Sequence, residues 1–193
     1  MTRRATRFAA SAVAALCLAS LTSGCVPLVL GGTGVAINSS ADQRTLGAQI
    51  DDEAIVLRIA DRLHAKYSER KDIRWNTLSH NGNVVVAGQV DSKATAQDIE
   101  SIVRSISSVK RVDNELEVGG FVAGVVRRSK DAVAKAAILK NMVLDDGIPA
   151  ATIQVMVEDG VVHIAGAKDP SLRKKVSDIA REAPEVRRVV MHF

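Results

Sequence analysis

The chain has 193 residues, of which 26 are basic and 22 acidic, and only 3% are aromatic. The low aromatic content argues against the stacking platforms that bind single-stranded nucleic acid, and the length suits one ordinary domain or two small ones. Three arginines and no acid lie in residues 1–24, so the remainder has 23 basic and 22 acidic residues and is nearly neutral.

The first predicted element is an export signal that ends just before Cys25. Three arginines precede an apolar stretch at 8–21, and small residues lead to the cysteine, which is the order of a secretory signal peptide. The stretch is shorter than the roughly 20 residues that span a bilayer. We predict a signal peptide at 1–24 and a lipidated flexible tether at 25–49, with an ordinary signal peptide or a short transmembrane helix as the alternative.

The residues Leu21-Thr22-Ser23-Gly24-Cys25 resemble the lipobox of bacterial lipoproteins, although that pattern prefers Leu where Thr22 stands. The resemblance implies a diacylglyceryl group on the sulfur of Cys25, cleavage before it, and acylation of the new amine by a fatty acid such as palmitate. Val26 follows the cysteine and is not Asp, which in the enterobacterial sorting pattern favours the outer membrane. Cys17 would leave with the signal, so no disulfide is expected.

An internal repeat divides the rest of the chain. When Gly82 is superposed on Gly160, alternating apolar residues and an Ala-Gly pair align after each glycine, and a Val-basic-basic-Val sequence recurs further on. Self-similarity over about 70 residues, present twice, predicts two similar domains. The predicted boundaries are 50–118 for the first domain, 119–128 for a linker and 129–193 for the second domain.

Each copy predicts the element order α-β-β-α-β. The first helix is expected to start at Asp52 in one copy and at Asp131 in the other, because an acid before an apolar stripe is typical of a helix N-cap. Asn81-Gly82 and Asp159-Gly160 predict two-residue hairpin turns. Asp169-Pro170 predicts the start of the second helix in the second copy.

The predicted core and strand positions share an apolar character in both copies. The first helices carry Ile55, Ile59, Leu63 and Ala134, Ile138, Met142; the second helices carry Ile99, Ile102, Val103, Ile106 and Leu172, Val176, Ile179, Ala180; the last strands carry Val112, Leu116, Val118 and Val189, Met191, Phe193. Helices that cover one face of a three-stranded mixed sheet would form an α+β fold.

This order of elements, with the Val-basic-basic-Val-x-Asn sequence that ends at Asn114, resembles the BON domain. A lipobox followed by two copies resembles the dual-BON outer-membrane lipoproteins. The resemblance implies a protein without catalytic activity or cofactor, which binds anionic phospholipid and supports envelope integrity. Met191 stands in the second copy where Asn114 stands in the first.

Residues that could carry other chemistry are sparse. The four histidines, His64, His80, His163 and His192, are scattered, so we expect exposed or strand-filling side chains and no metal site. A hydrolase would need His163 to face a carboxylate in a deep cleft. The glycines at 31–34 lack the Gly-Lys-Ser/Thr of a phosphate-binding loop, and the short basic pairs of an exported chain do not indicate nucleic-acid binding.

The two copies differ in charge. Residues 50–118 have 10 basic and 12 acidic residues, whereas residues 119–193 have 12 basic and 9 acidic. The first helix of the second copy also has a second apolar stripe, bordered by lysines, where the first copy has Ala54, Arg58, Asp61 and Ala65. Such a stripe suits an anionic membrane surface. The predicted lipid-binding residues are Val133, Lys135, Ala137, Lys140 and Leu144.

Two interpretations of the stripe and two of the function therefore stand. The stripe contacts phospholipid, or it packs against the first domain or the linker residues 119–126. The chain is a lipid-anchored, periplasm-facing outer-membrane protein that binds anionic phospholipid through its second domain. Alternatively, it is a periplasmic scaffold that docks envelope or cell-wall proteins through an exposed sheet.

Overall fold

The computed structural model describes residues 46–120 and 122–193, which form two consecutive α-β-β-α-β units. The first unit consists of α1 (Leu46–Tyr67), β1 (Arg74–His80), β2 (Asn83–Val90), α2 (Lys93–Arg104) and β3 (Arg111–Val118). The second consists of α3 (Val125–Val143), a 3-10 turn (Ala150–Thr152), β4 (Gln154–Glu158), β5 (Val161–Ala165), α4 (Pro170–Glu182) and β6 (Arg188–Met191). The predicted α+β class and element order are confirmed.

Each unit has one three-stranded mixed sheet. β2 lies in the centre of the first sheet, antiparallel to β1 and parallel to β3, and β5 has the same place in the second sheet. Two helices cover one face of each sheet and bury a separate apolar core. The predicted stripe of α1 is buried in the first core and that of α3 in the second.

The predicted starts of the first helices are wrong. α1 begins at Leu46 and α3 at Val125, so Asp52 and Asp131 lie inside their helices and are 4% and 5% exposed. Asp52 accepts hydrogen bonds from the backbone N–H groups of Asn81 and Gly82, at 2.7 and 2.9 Å. A buried acid that binds a distant turn has the same sequence pattern as an N-cap, which explains the error.

The hairpin turns have the predicted geometry in both units. Asn81 and Gly82 have φ of 54° and 79°, and Asp159 and Gly160 have φ of 46° and 71°. Positive φ at both central residues matches the right-handed twist of the flanking strands. Asp169 caps α4 by accepting a hydrogen bond from the N–H of Leu172 at 2.8 Å, as its sequence predicts.

The two sheets pack against each other through the faces that the helices leave uncovered. Side chains from both sheets form a third apolar cluster, which contains Leu78, Val85, Ala87, Met156 and Ala165, with Phe193 packed against it. The expectation of an exposed sheet that docks a protein is therefore wrong. The sequence pattern cannot show this, because a strand that is buried on both faces by another domain looks like an ordinary apolar strand.

Polar contacts join the two units around this cluster. The guanidinium of Arg74 donates two hydrogen bonds, of 2.7 and 3.1 Å, to the buried carboxylate of Glu158. His192 lies 3.0 Å from Asp113 on the neighbouring sheet. Both units lie within one compact body that ends at Phe193. Both contacts cross the interface between the two sheets, and in the first the buried carboxylate of Glu158 is paired with a guanidinium.

Candidate functional site

α3 and its C-cap residue Leu144 carry five of the eight exposed large hydrophobic side chains of the described residues. The buried side of the helix is formed by Asp131, Ala134, Ile138 and Met142. The five exposed side chains are between 60% and 73% accessible: Val125, Val126, Val133, Val143 and Leu144. An amphipathic helix normally presents polar residues to water. This helix also presents valines to water, between its basic residues.

The predicted lipid-binding residues do not all lie together. Val133 and Leu144 are 60% and 70% exposed on the outer side of α3, and Lys140 is exposed near them. Ala137 is partly buried at the edge of the second core. At about 100° per residue, Lys135 lies roughly 160° around the helix from Val133. It lines an open groove of about 430 Å³ together with Glu53 and Leu57 of α1.

The exposure of this stripe argues against one of its two interpretations, domain packing, and contact with phospholipid stays a prediction. Packing against the first domain or the linker would have buried Val133 and Leu144, and both remain largely accessible. The sequence interpretation also missed a second exposed stripe, which contains Val125, Ala132, Ala136 and Val143. Its members recur at spacings of four and seven residues, so a search of the whole helix for a second apolar face would have found it.

Cations surround the exposed apolar side chains of α3. The helix has five basic residues and a single acid, Asp131, which is buried. Lys130 pairs with Glu185 at 3.0 Å. Its hydrogen bond, with a smaller contribution from the charge of Arg127, holds the pKa of the Glu185 carboxyl below its usual range. Among the described residues, Arg128, Lys135 and Lys140 have no ion pair within 4 Å. Positive charge at this helix therefore remains available to an anionic surface.

A buried histidine pair lies between the two sheets. Nδ1 of His163 is 3.1 Å from Nε2 of His192, whose Nδ1 is 3.0 Å from Oδ2 of Asp113. Burial, with smaller contributions from the charges of His192 and Arg188, lowers the pKa of His163 to about 3. The sequence interpretation missed this arrangement because its members are distant along the chain: 29 residues separate His163 from His192, and 79 separate His192 from Asp113.

The histidine pair does not provide the cleft that a hydrolase requires. The space beside His163 is about 10 Å³, enough for about one water molecule. His80 is also buried, 3% exposed, on the interface side of β1. Within residues 46–120 and 122–193, no group of three His, Cys, Asp or Glu side chains is arranged to hold a metal ion.

The same architecture therefore occurs twice. In each copy a buried acid of the first helix, Asp52 or Asp131, accepts hydrogen bonds from the turn of the hairpin. Residues 51–120 and 130–193 each match the BON domain family. The chain belongs to the BON-domain family. Its two BON domains correspond to the two units described above, α1 to β3 and α3 to β6.

Several characterised proteins are similar over most of this dual-BON chain. The outer membrane lipoprotein DolP of Haemophilus influenzae is 29% identical over 170 residues, 88% of each chain. The 21 kDa hemolysin of Actinobacillus pleuropneumoniae is 26% identical, covering 77% of this chain and 76% of its own. The osmotically-inducible protein Y of Escherichia coli K12 is 24% identical, covering 81% and 77%.

The corresponding helix of the first BON domain has a different outer side. α1 contains four acids and three Lys or Arg residues, whereas α3 has one acid and five such residues. Arg58 and Asp61 stand where α3 has Ala137 and Lys140. Ile50 and Leu57 are exposed on α1, 60% and 70%, but acids interrupt the surface around them. Of these two helices, as far as the structure describes them, α3 is the one that exposes several apolar side chains beside cations without an ion pair.

The predicted anchor lies outside the described residues. This applies to Cys25, the signal at 1–24 and the tether up to residue 45. Among the described residues, none of the helices has both the length and the apolar character needed to cross a bilayer.

Proposed function

We propose that this BON protein is a noncatalytic lipoprotein of the bacterial outer membrane, anchored through Cys25 and facing the periplasm. Its second BON domain binds anionic phospholipid through the exposed side of α3 and so supports outer-membrane integrity. The observation that carries the proposal is the apolar surface of α3 with unpaired cations around it. An envelope location is supported by the similarity to the DolP lipoprotein of Haemophilus influenzae.

The energetics favour a shallow contact. Complete burial of a Val or Leu side chain contributes about 1.5–3 kcal/mol, and partial insertion recovers part of that. Each Lys or Arg near an anionic surface adds about 1 kcal/mol. Val133, Lys140 and Leu144 lie on one side and would enter the interface together, with Ala137 at its edge. Lys135 lies at the far border of the helix and would contribute only through its charge.

The anchor makes a weak contact sufficient. A triacylated cysteine is held in the membrane by several chains, whereas a single chain binds only marginally. A tethered domain meets the surface at a high effective concentration, so α3 does not need high intrinsic affinity. Anchoring at Cys25 and recognition of phospholipid by α3 are then separate functions of one chain. Mass spectrometry of the membrane fraction would detect the lipid on Cys25, and an unmodified amine there would contradict the anchor.

Vesicle cosedimentation tests the lipid contact. The chain from Val26 onward contains every described residue and lacks the anchor. It should bind vesicles that contain phosphatidylglycerol and not vesicles of phosphatidylcholine, and added salt should weaken binding by screening. Lys135→Glu with Lys140→Glu should weaken it further. The matched control is Arg58→Glu with Arg62→Glu on α1, which removes the same charge from the first domain.

Two results would contradict the proposal. One is salt-independent binding that the α3 substitutions leave unchanged. The other is an equal loss from the α1 and α3 pairs of substitutions, which would show that only net charge matters. Crosslinking in cells that recovers one stoichiometric protein and no lipid would favour the alternative, a periplasmic scaffold that docks envelope or cell-wall proteins.

A further inference from the structure

The outer side of α1 presents two large apolar side chains together with an acid. Ile50 and Leu57 are 60% and 70% exposed, and Asp61 is exposed beside them. At about 100° per residue, these three positions lie within about 40° of one another around the helix. Glu53 is also exposed, at the border of this side. The outer side of α1 is therefore apolar and negatively charged.

The acids of this side are not neutralised by the first domain. In the part of the chain that the structure describes, neither Glu53 nor Asp61 forms an ion pair within 4 Å. Arg58 lies on the flank, about 60° around the helix from Asp61. Arg62 donates a hydrogen bond to Ser105, just after α2, at 3.0 Å. The negative charge of α1 is therefore available to a cation of another molecule.

The exposed side of α3 has the same kind of surface with the opposite charge. Val133 and Val143 are 60% and 70% exposed, and Lys140 lies between them around the helix. Lys140 stands at the position of the second domain that matches Asp61 of the first. The two helices thus carry an acid and a cation at equivalent places within their exposed apolar surfaces.

Within one chain these two sides do not meet. Leu57 of α1 is 70% exposed, and Val133 and Leu144 of α3 are 60% and 70% exposed, whereas a contact between the helices would bury them. Both apolar sides therefore stay in water unless another molecule covers them. Complementary surfaces that lie apart on one molecule join two copies head to tail.

We propose that the outer side of α1 docks on the exposed side of α3 in a second copy of this chain. Asp61 then faces Lys140 of the other copy, and Leu57 packs among its valines. The charges favour this pairing over contacts of α1 with α1 or of α3 with α3, which would place like charges together.

The contact is weak in solution because it is small. One side of a helix offers less area than the roughly 800 Å² per partner of a standard stable interface. Chains anchored in one membrane are confined to a layer, which raises their effective concentration and favours such contacts. A pair joined head to tail keeps one free side of each kind, so further copies add unless the arrangement closes into a ring.

The contact and an anionic membrane use the same side of α3. Val133, Lys140 and Leu144 cannot face phospholipid and a second copy at once, so each contact excludes the other. Self-association does not depend on lipid binding, and only its reversal by lipid rests on the proposed function.

Sedimentation velocity of the chain from Val26 onward tests the contact without lipid. The weight-average sedimentation coefficient should rise with protein concentration, and added salt should reduce the rise by screening. Asp61→Lys and Lys140→Asp each replace an attraction by a repulsion and should weaken the association constant about tenfold. Glu182→Lys and Lys93→Asp make the same charge changes on exposed residues of α4 and α2 and should leave it unchanged.

A mixture of the two variants tests the pairing itself. Asp61→Lys chains keep the normal α3 and Lys140→Asp chains keep the normal α1, so together they can form the unchanged contact. The mixture should therefore associate more strongly than either variant alone. A chain with both substitutions should also recover association, since it carries the same pair with reversed charges.

Crosslinking tests whether the two helices meet and whether lipid separates them. Leu57→Cys and Val133→Cys chains, which have no other cysteine after Val26, are mixed and treated with a short bifunctional maleimide. Crosslinks between the two variants should exceed those within each variant. Phosphatidylglycerol vesicles should suppress these crosslinks, and phosphatidylcholine vesicles should not.

Three results would overturn the proposal. They are a sedimentation coefficient that does not depend on concentration, equal weakening by the α2 and α4 substitutions, and a mixture that associates no better than its components. Crosslinks that persist on phosphatidylglycerol vesicles to which the chains bind would contradict the shared use of α3. Failure to bind those vesicles would instead contradict the lipid contact and leave self-association intact.

Discussion

α1 and α3 occupy the same place in the two BON domains and perform the same internal task. Each buries an acid that binds the turn of the hairpin behind it, Asp52 in the first domain and Asp131 in the second. Towards solvent the helices differ, since α1 exposes acids and α3 exposes valines between unpaired cations. Because the fold is shared, it cannot be the cause of the difference. The exposed side of α3 therefore points to a task that only the second domain performs.

The largest expected effect comes from removing what the helices share. Asp52→Ala leaves the buried N–H of Gly82, the N–H of Asn81 and the hydroxyl of Ser79 without their acceptor. We expect a loss of about 2–4 kcal/mol in the free energy of unfolding, measured with urea, since buried unsatisfied groups cost about 1–3 kcal/mol each. Asp131→Ala should cost a similar amount. Asp51→Ala is the control and should change stability by no more than about 0.5 kcal/mol.

Low pH should lower the free energy of unfolding of the two packed domains through protonation of His163. The pKa of His163 is lowered from 6.5 to about 3, so the unfolded chain takes up a proton at higher pH than the folded chain. The contribution of neutral His163 to the free energy of unfolding is therefore complete above about pH 6.5 and is lost as the pH falls towards 3. Between pH 7 and pH 5 the loss is about 2 kcal/mol.

Urea unfolding at several pH values measures this loss. His163→Asn keeps a polar atom towards His192 and removes the titrating group, so its stability should depend less on pH. His64→Gln changes an exposed histidine and should behave like the unchanged chain. The same pH dependence in His163→Asn would remove His163 as its cause.

Copying the first domain into α3 should remove most lipid binding. Val133→Ala with Lys140→Asp introduces the residues that α1 has at the matching positions. The reversed charge alone should cost about 2 kcal/mol, roughly 30-fold in binding to phosphatidylglycerol vesicles. Thermal unfolding should show an intact fold, because both side chains are exposed. Unchanged binding by a folded variant would exclude this side of α3.

The reciprocal exchange should have the smallest effect. Ala54→Val with Asp61→Lys gives α1 two of the residues of α3. Binding should rise by less than the α3 variant loses, because Asp51 and Glu53 remain exposed on α1 and repel an anionic surface. A gain as large as the loss in α3 would show that these two positions alone determine binding.

The fold could be predicted from sequence because each local signal recurs. The same element order follows from three kinds of signal: two hairpin dipeptides, two sets of core stripes, and a proline after an acid. The structure confirms this order. The helix starts were misplaced by six residues because Asp52 and Asp131 bind distant turns and do not cap. Hydrogen bonds between elements leave no local pattern in the sequence.

The candidate site was predicted only in part. The outer stripe with Val133 and Leu144 could be found from helical spacing alone. The position of Lys135 on another side of the helix follows from the same spacing. Its place beside a groove with Glu53 could not be predicted, because it depends on how the first domain lies against the second. The His163–His192 pair and the interface between the sheets were missed for the same reason.

The most direct test of the account compares matched positions on the two helices in the presence of a membrane. Val133→Cys and Ala54→Cys are made separately in the chain from Val26 onward, which contains no other cysteine, and each is labelled with an environment-sensitive fluorophore. Phosphatidylglycerol vesicles should shift the emission of the label at 133 to the blue, and salt should reverse the shift. The label at 54 should not respond. Equal shifts at both positions, or a shift at 54 alone, would contradict the claim that the second BON domain carries the membrane contact.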